Sequence, residues 1–280
     1  LQILELFKKT FNRELSEQFW KWRFEKNPFG NPIIKVALLN QRIVGQYSLH
    51  PISLSYGTNN FKSLFSMTTM TDPEFSGQGI MTHLANEVYE KSHKLGFSLI
   101  FGFANDNSLH MFTKKLNFYK ISTMNEFTIS SSNIPIFEEY YNLIQVNNFQ
   151  NENLAIQNLS QIEVPRTNKF MSWRFINHPS VNYHIYKILD GSDQSSYFVL
   201  KIYENTCHIV DFLPSYSLKS LNTILKQSTL LCKKYGLSKI SLWCNEPHFL
   251  FYLKKIGFEK TLTNTHLIIK FLDESIDKNI

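Results

Sequence analysis

A chain of 280 residues that is 43% hydrophobic and 19% charged can bury one large or two medium cores, which excludes an intrinsically disordered polypeptide. Its net charge of +6, from 29 Lys and Arg against 23 Asp and Glu, is scattered without a run of one sign, so no nucleic-acid partner is expected. The cysteines (Cys207, Cys232, Cys244) form no CxxC, no apolar run approaches the roughly 20 residues of a bilayer span, and no signal peptide is visible. Neither a disulfide framework, a zinc site nor a membrane partner is therefore expected, and a reducing cytoplasmic setting is the default.

Residues 1–25 have helical spacing and carry Phe19, Trp20, Trp22 and Phe24. The first residue is Leu1 rather than Met and the helical pattern starts at once, which fits a truncated start and a missing first strand. Asn27-Pro28-Phe29-Gly30-Asn31-Pro32 is a turn cluster. Residues 33–39 and 43–49 read as two strands of a hairpin around Asn40-Gln41-Arg42. Residues 61–71 are a third strand, ended by Asp72-Pro73, since proline removes a donor and restricts the residue before it. A short loop, 75–79, leads into a helix over 80–95 with Ile80, Leu84, Val88 and Leu95 on one face and Gly96 as its stop. A buried strand (97–104), a second helix (107–116) and a closing strand (119–129) complete this half. Beyond Ser130-Ser131-Ser132-Asn133 comes a helical piece near 136–146, then an Asn/Gln-rich stretch, and a second unit begins near Arg166.

That second unit reads as a worn copy of the first. Trp22-Arg23-Phe24 with Asn27-Pro28 recurs as Trp173-Arg174-Phe175 with His178-Pro179. Asn105, Phe112, Lys114, Lys115, Asn117 and Phe118 recur in the same order as Asn245, Tyr252, Lys254, Lys255, Gly257 and Phe258. Agreement at both ends of the unit favours duplication over chance. The expected organisation is an α/β chain (α+β, mixed sheet) of two tandem units, residues 1–130 and 166–280, joined by a connector at 131–165.

The chemistry concentrates in Asp72-Pro73-Glu74-Phe75-Ser76-Gly77-Gln78-Gly79-Ile80-Met81, between a strand and a helix. Glycines there permit a tight turn and close approach of a ligand to the backbone. The loop amides and the first N–H groups of the helix, aided by the helix dipole, form a site for phosphate oxygens. A Gly-x-Gly alone is a weak signal. The order strand, Pro, Gly-x-Gly, amphipathic helix, strand, Asn and a second helix is stronger.

That order resembles the GNAT acetyltransferase superfamily. The superfamily's loop, Arg/Gln-x-x-Gly-x-Gly/Ala, aligns here with Ser76-Gly77-Gln78-Gly79-Ile80-Met81; Gly79 is kept, Ser76 replaces the leading basic or amide residue, and Met81 fills the small-residue slot. Phe101-Gly102-Phe103-Ala104-Asn105-Asp106-Asn107-Ser108, running into Phe112-Thr113-Lys114-Lys115-Leu116-Asn117-Phe118, resembles a branch associated with surface-polysaccharide biosynthesis. The likeness spans most of residues 4–130; the second unit is a degenerate form of the same fold.

The resemblance implies acetyl-CoA as acyl donor and a small-molecule amine as acceptor, with an amino sugar on a nucleotide as the substrate by analogy. It implies two parallel strands, 61–71 and 97–104, that splay so that the donor's pantetheine arm adds like a further strand. Met70 and Thr71 would face the arm, and Ser76 to Met81 would hold the diphosphate. Asn105, with Ser108 after it, would hold the pantetheine amides, or alternatively cap the next helix. Phe112 stands where many members place a Tyr that protonates the leaving thiolate, so that role is lost. The oxyanion calls for a backbone N–H on the strand before Asp72. Amine attack calls for a base or water relay, and His50, Asp72 and His110 are candidates, each also readable as a surface or turn residue. The second half has no Gly-x-Gly between Asp211 and Leu225 and is expected not to bind CoA. Two other readings stay open: a non-catalytic acetyl-CoA sensor, and a tandem aminoacyl-tRNA-dependent transferase. Oligomeric state is not legible.

Overall fold

The structure is a computed structural model and describes residues 2–149, 154, 162–191, 195–212, 217–245 and 247–273. The opening helical stretch is two helices, α1 (Gln2–Phe11) and α2 (Glu17–Phe24). The break comes at Asn12, which turns to φ +50°, and Ser16 restarts the helix by accepting a hydrogen bond from the Phe19 N–H at 3.1 Å. β1 (Ile33–Leu39) and β2 (Arg42–Tyr56) form the hairpin, with Asn40 and Gln41 both at positive φ, as a tight hairpin turn demands. β2 is longer than expected and pairs along its length with β3 (Asn59–Thr71). A single 3₁₀ turn, Pro73–Phe75, and the glycine loop lead to α3 (Ile80–Lys94). This helix carries the chain across to β4 (Leu99–Asn105), parallel to β3. α4 (Asp106–His110), continued by a π-helical turn at Met111–Lys115, precedes β5 (Tyr119–Ser130).

The expected helix near 136–146 is instead a strand, β6 (Asn142–Val146). Ile144 and Val146 suit a pleated edge, and an antiparallel neighbour decides the matter, as shown below. The second repeat then runs α5 (Asn168–Met171) with a π-helical turn at Ser172–Ile176, β7 (Tyr183–Leu189), β8 (Ser196–Tyr203), β9 (Thr206–Phe212), α6 (Leu218–Tyr235), β10 (Lys239–Trp243), α7 (Pro247–Ile256) and β11 (Glu259–Phe271). β6 pairs antiparallel with β7, and β9 lies parallel to β10, as β3 does to β4. Most of the Asn/Gln-rich stretch that follows β6 lies outside the described residues.

Two compact units result: Leu1–Ser122 with Asn158–Pro165 and Thr265–Ile280, and Thr123–Gln157 with Arg166–Asn264. Their bounds differ from the linear segments 1–130, 131–165 and 166–280, because the last strand of each repeat pairs within the other unit. In the first unit the strand order is β1-β2-β3-β4, followed by residues 265–271 of β11, which pair antiparallel with β4 from Thr265–Asn105 to Phe271–Leu99. In the second, residues 126–130 of β5 pair with β10, and the order continues β9-β8-β7-β6. The first unit's core sets Leu84, Ala85, Val88 and Tyr89 of α3 against Tyr47, Leu49, Leu64 and Ile100 of the sheet, with Phe112, Phe118 and Ile268 closing it. The second unit's larger core packs Leu221, Ile224, Leu225 and Leu231 of α6 against Phe198, Leu200, Ile240 and Leu242.

Candidate functional site

In the first unit, β3 and β4 pair from Ser63–Leu99 to Ser66–Gly102. The pairing ends there, although β3 continues to Thr71 and β4 to Asn105. Gly102 makes the closest approach: a Cβ on it would lie 3.2 Å from the Ser66 carbonyl oxygen. Past that point the strands part, and a cleft of about 670 Å³ opens between them. Its walls include Met67, Thr68 and Thr69 of β3, Phe103 of β4, and the loop that starts α3.

Gly77 and Gly79 line this cleft, at φ +78° and +79°. A Cβ on either would meet nothing within 4 Å, so backbone conformation and not crowding calls for glycine there. Gly79 is the N-cap of α3 and provides no side-chain cap. The first N–H to bond back within the helix is that of His83, to the Gly79 carbonyl at 3.1 Å. The preceding helical N–H groups have no acceptor within the helix. No acidic residue occupies the first turn of α3, and no carboxylate lines the cleft among the described residues, whereas Lys115 does. The field at the loop therefore favours an anion.

Of the residues expected at the site, Thr71, Ser76, Gly77, Gly79, Ile80, Met81, Asn105, Ser108, His110 and Phe112 line the cleft. Gln78 lies outside that lining. Met70 is turned into the core at 1% exposure, because an extra residue in β3 reverses the alternation of its side chains; Met67, Thr68 and Thr69 take the place expected for it. Asn105 caps α4: its Oδ1 accepts from the Ser108 N–H at 3.0 Å, and Ser108 Oγ accepts from the Asn105 N–H at 3.1 Å. Phe112 packs edge-on against Phe118 at 5.2 Å, with one side toward the cleft.

Two of the proposed bases are structural. Asp72 has a fully buried carboxylate that joins Lys9 (3.0 Å), Arg42 and the Glu74 N–H (3.1 Å), tying α1, β2 and the end of β3 together. Burial by itself would raise its pKa, but Lys9, the Glu74 amide and Arg42 together hold the carboxyl below its usual range. It does not line the cleft. His50 lies in the middle of β2, buried at 1% exposure against the edge of Phe24 (4.6 Å), and neither ring nitrogen has a well-formed hydrogen bond. Burial, with the nearby Arg23 charge adding to it, lowers its pKa to about 3. Its native form is therefore neutral, while the unfolded chain takes up a proton as pH falls through 6.5. Between that value and about 3 the unfolded state binds more protons, so stability falls with acidification. His50→Leu is expected to flatten this dependence in denaturant melts run from pH 7 to 5; an unchanged slope would show that His50 titrates normally. His110 is exposed and remains at the cleft.

Several residues at the site carried no sequence signal. Ser66 lines the cleft and joins a buried hydroxyl chain, Ser66–Tyr47 at 3.1 Å and Tyr47–Tyr89 at 2.8 Å. Burial pushes the Tyr47 hydroxyl up to about 12, so it stays protonated. Thr69 Oγ1 is buried without a hydrogen-bond partner. Gly45 of β2 packs under the start of α3, where an added Cβ would fall 2.8 Å from Ile80 Cγ2. In the second unit the equivalent helix start differs. Ser217 Oγ accepts from the Ser220 N–H at 3.1 Å and so caps α6 with its own side chain; residues 213–216 of the loop before it lie outside the described residues.

Residues 1–119 match the family model of the acetyltransferase (GNAT) domain. Solved structures extend the likeness over nearly the whole chain at the level of fold. A conserved protein of unknown function from Enterococcus faecalis V583, described as a probable N-acyltransferase, superposes with a TM-score of 0.74 at 13% identity, covering 97% of this chain and 70% of its own. A GCN5-related N-acetyltransferase from Kribbella flavida gives 0.71 at 9% identity, covering 97% and 68%. A tandem GNAT protein from the clavulanic acid biosynthesis pathway gives 0.60 at 12% identity, covering 98% and 94%. No curated protein sequence matches significantly. Residues 1–119 are thus similar to the acetyltransferase (GNAT) domain, a class whose fold supports acyl transfer. The whole chain has the tandem GNAT fold.

Proposed function

We propose that the first unit binds acetyl-CoA as acyl donor and transfers the acetyl group to a primary amine of a small molecule. One observation carries the reading: an uncapped helix N-terminus with two left-handed glycines opens onto a pair of parallel strands that part beside it. The residues fit the donor. Open space above Gly77 and Gly79 lets a diphosphate approach the backbone, Lys115 adds a cation, and the gap beyond Ser66–Gly102 offers strand edges to a pantetheine arm. Asn105 Oδ1 is committed to its cap, so the side chain offers its N–H₂ to a ligand. Bound acetyl-CoA supplies an activated acetyl thioester. The chain's own part is to grip the diphosphate, to offer β3 N–H groups to the thioester oxygen, and to receive the amine's proton at His110 or at a water beside it. Phe112 offers no proton to the departing thiolate, which leaves solvent to supply it.

The second unit, with α6 capped by Ser217, is expected to leave CoA alone, so calorimetry should find about one acetyl-CoA per chain. Release of free CoA thiol on incubation with a panel of amines, amino sugars on nucleotides first, tests the transfer. Tight binding with no thiol released by any amine would favour the sensor reading. That second reading draws on Phe112 and on the removal of His50 and Asp72 from the list of bases.

A further inference from the structure

The face of the first unit's sheet opposite α3 carries a row of aromatic rings. Side chains alternate along a strand, so Leu64 and Ile100 join α3 in the core while Phe65 and Phe101 point the other way. The Phe65 ring lies 5.2 Å from Phe101 and 6.1 Å from Phe103 between centroids. Phe103 is 47% exposed, and with Met67 it lines the cleft. The cleft therefore reaches this face as well as the glycine loop.

Arg23 of α2 lies over the same row. Its guanidinium stands above the Phe65 ring, 5.4 Å from the centroid, and its Nε donates to Met67 Sδ at 2.8 Å. A thioether is a weak acceptor, whereas the guanidinium presents a rigid fork of N–H groups. The second repeat offers a comparison. Arg174, the counterpart of Arg23, donates from Nη1 to the Tyr183 hydroxyl at 2.8 Å and lies over the rings of Phe175 and Tyr183. Tyr183 opens β7, but β1, the matching strand, opens with Ile33, which has no hydroxyl. In the first unit the arginine turns instead to β3, the strand that walls the cleft.

We propose that Arg23, backed by Phe65 and Phe103, selects the acceptor by holding an oxyanion on it, so that the substrates are amines that also carry a carboxylate or a phosphate. The inference rests on the acetyl-CoA reading and narrows its acceptor. That reading puts the donor's diphosphate at the start of α3, which leaves the opposite face for the amine to approach the thioester. An anionic oxygen is a far stronger partner for a guanidinium than the Met67 sulfur. No carboxylate lines the cleft among the described residues, so an anionic acceptor meets no like charge there. The arginine's charge also disfavours the ammonium form of a nearby amine, which must lose its proton before it attacks.

The test uses matched amines and needs no turnover. The full chain is saturated with CoA, and calorimetry then compares para-(aminomethyl)benzoate with benzylamine, and glucosamine 6-phosphate with glucosamine. In at least one pair the anionic member should bind about tenfold more tightly or better, and the gap should narrow as salt is raised. Arg23→Met should bring the members of that pair to within about threefold of each other, while CoA binds as before. Arg23→Gln should do the same and decides the matter if Arg23→Met does not fold. An undiminished preference in the folded variant overturns the role of Arg23. So does the absence of any preference in a wild-type protein that binds CoA, failure of all four amines to bind included. No binding of CoA to the folded wild type overturns the acetyl-CoA reading itself, and this inference with it.

Discussion

Gly79→Val is expected to weaken acetyl-CoA binding by about 30- to 100-fold, or about 2–3 kcal/mol, while leaving the helix content unchanged. Gly79 sits at φ +79°, where a side chain other than glycine's costs roughly 1–2 kcal/mol and a β-branched one more. The added Cβ meets nothing within 4 Å, so the fold tolerates it. The strain is relieved by rotating the loop toward negative φ, which turns its N–H groups away from the diphosphate; hydrogen bonds to a charged group are worth about 1.5–3 kcal/mol. The extra methyls also stand in the space the ligand needs. Pantetheine, which lacks the diphosphate, should bind the variant and the wild type alike. Equal affinity of both proteins for acetyl-CoA would remove the phosphate-binding role from this loop.

Gly45→Val should lower stability by about 2–3 kcal/mol and the melting temperature by roughly 5–10 °C. The reason is the opposite of that at Gly79. Here the backbone is ordinary, but a Cβ would fall 2.8 Å from Ile80 Cγ2 and 3.4 Å from Leu84 Cδ1. Ile80 is the first residue of α3, and its methyl is fixed by β-branching, so the helix start must lift off β2. Acetyl-CoA affinity should fall together with stability, because the displaced turn is the one that presents the N–H groups. Thermal melts and calorimetry on the same preparation check both effects. A melting temperature unchanged from wild type would mean that α3 does not pack on β2 at this point.

The glycine loop could be read from the sequence because its chemistry is local: strand, turn and helix adjoin in the chain, and positive φ is written in the residue type itself. The Asn105–Ser108 cap was legible as an alternative for the same reason. Other residues were misplaced where distant partners decide. Asp72 reads as a loop carboxylate until Lys9, 63 residues away, and Arg42 are seen to close on it. His50 reads as the end of a strand until β2 extends to Tyr56 and Phe24 covers the ring. Met70 reads as sharing the arm with its neighbour Thr71 until β3 turns it into the core at 1% exposure and leaves Thr71 at the cleft.

By itself the sequence determined most element types of the first repeat, their order, the likeness between the two repeats, and the place of the glycine loop, since these follow from periodicity, glycine placement and helix-start chemistry within short windows. Only the tertiary structure decided which strands complete which sheet, with β11 beside β4 and β5 beside β10, and which buried polar groups face the cleft. The physical reason is that ion pairing and strand pairing depend on surfaces brought together from tens to more than a hundred residues apart, and a backbone edge carries no residue code for the neighbour it will meet.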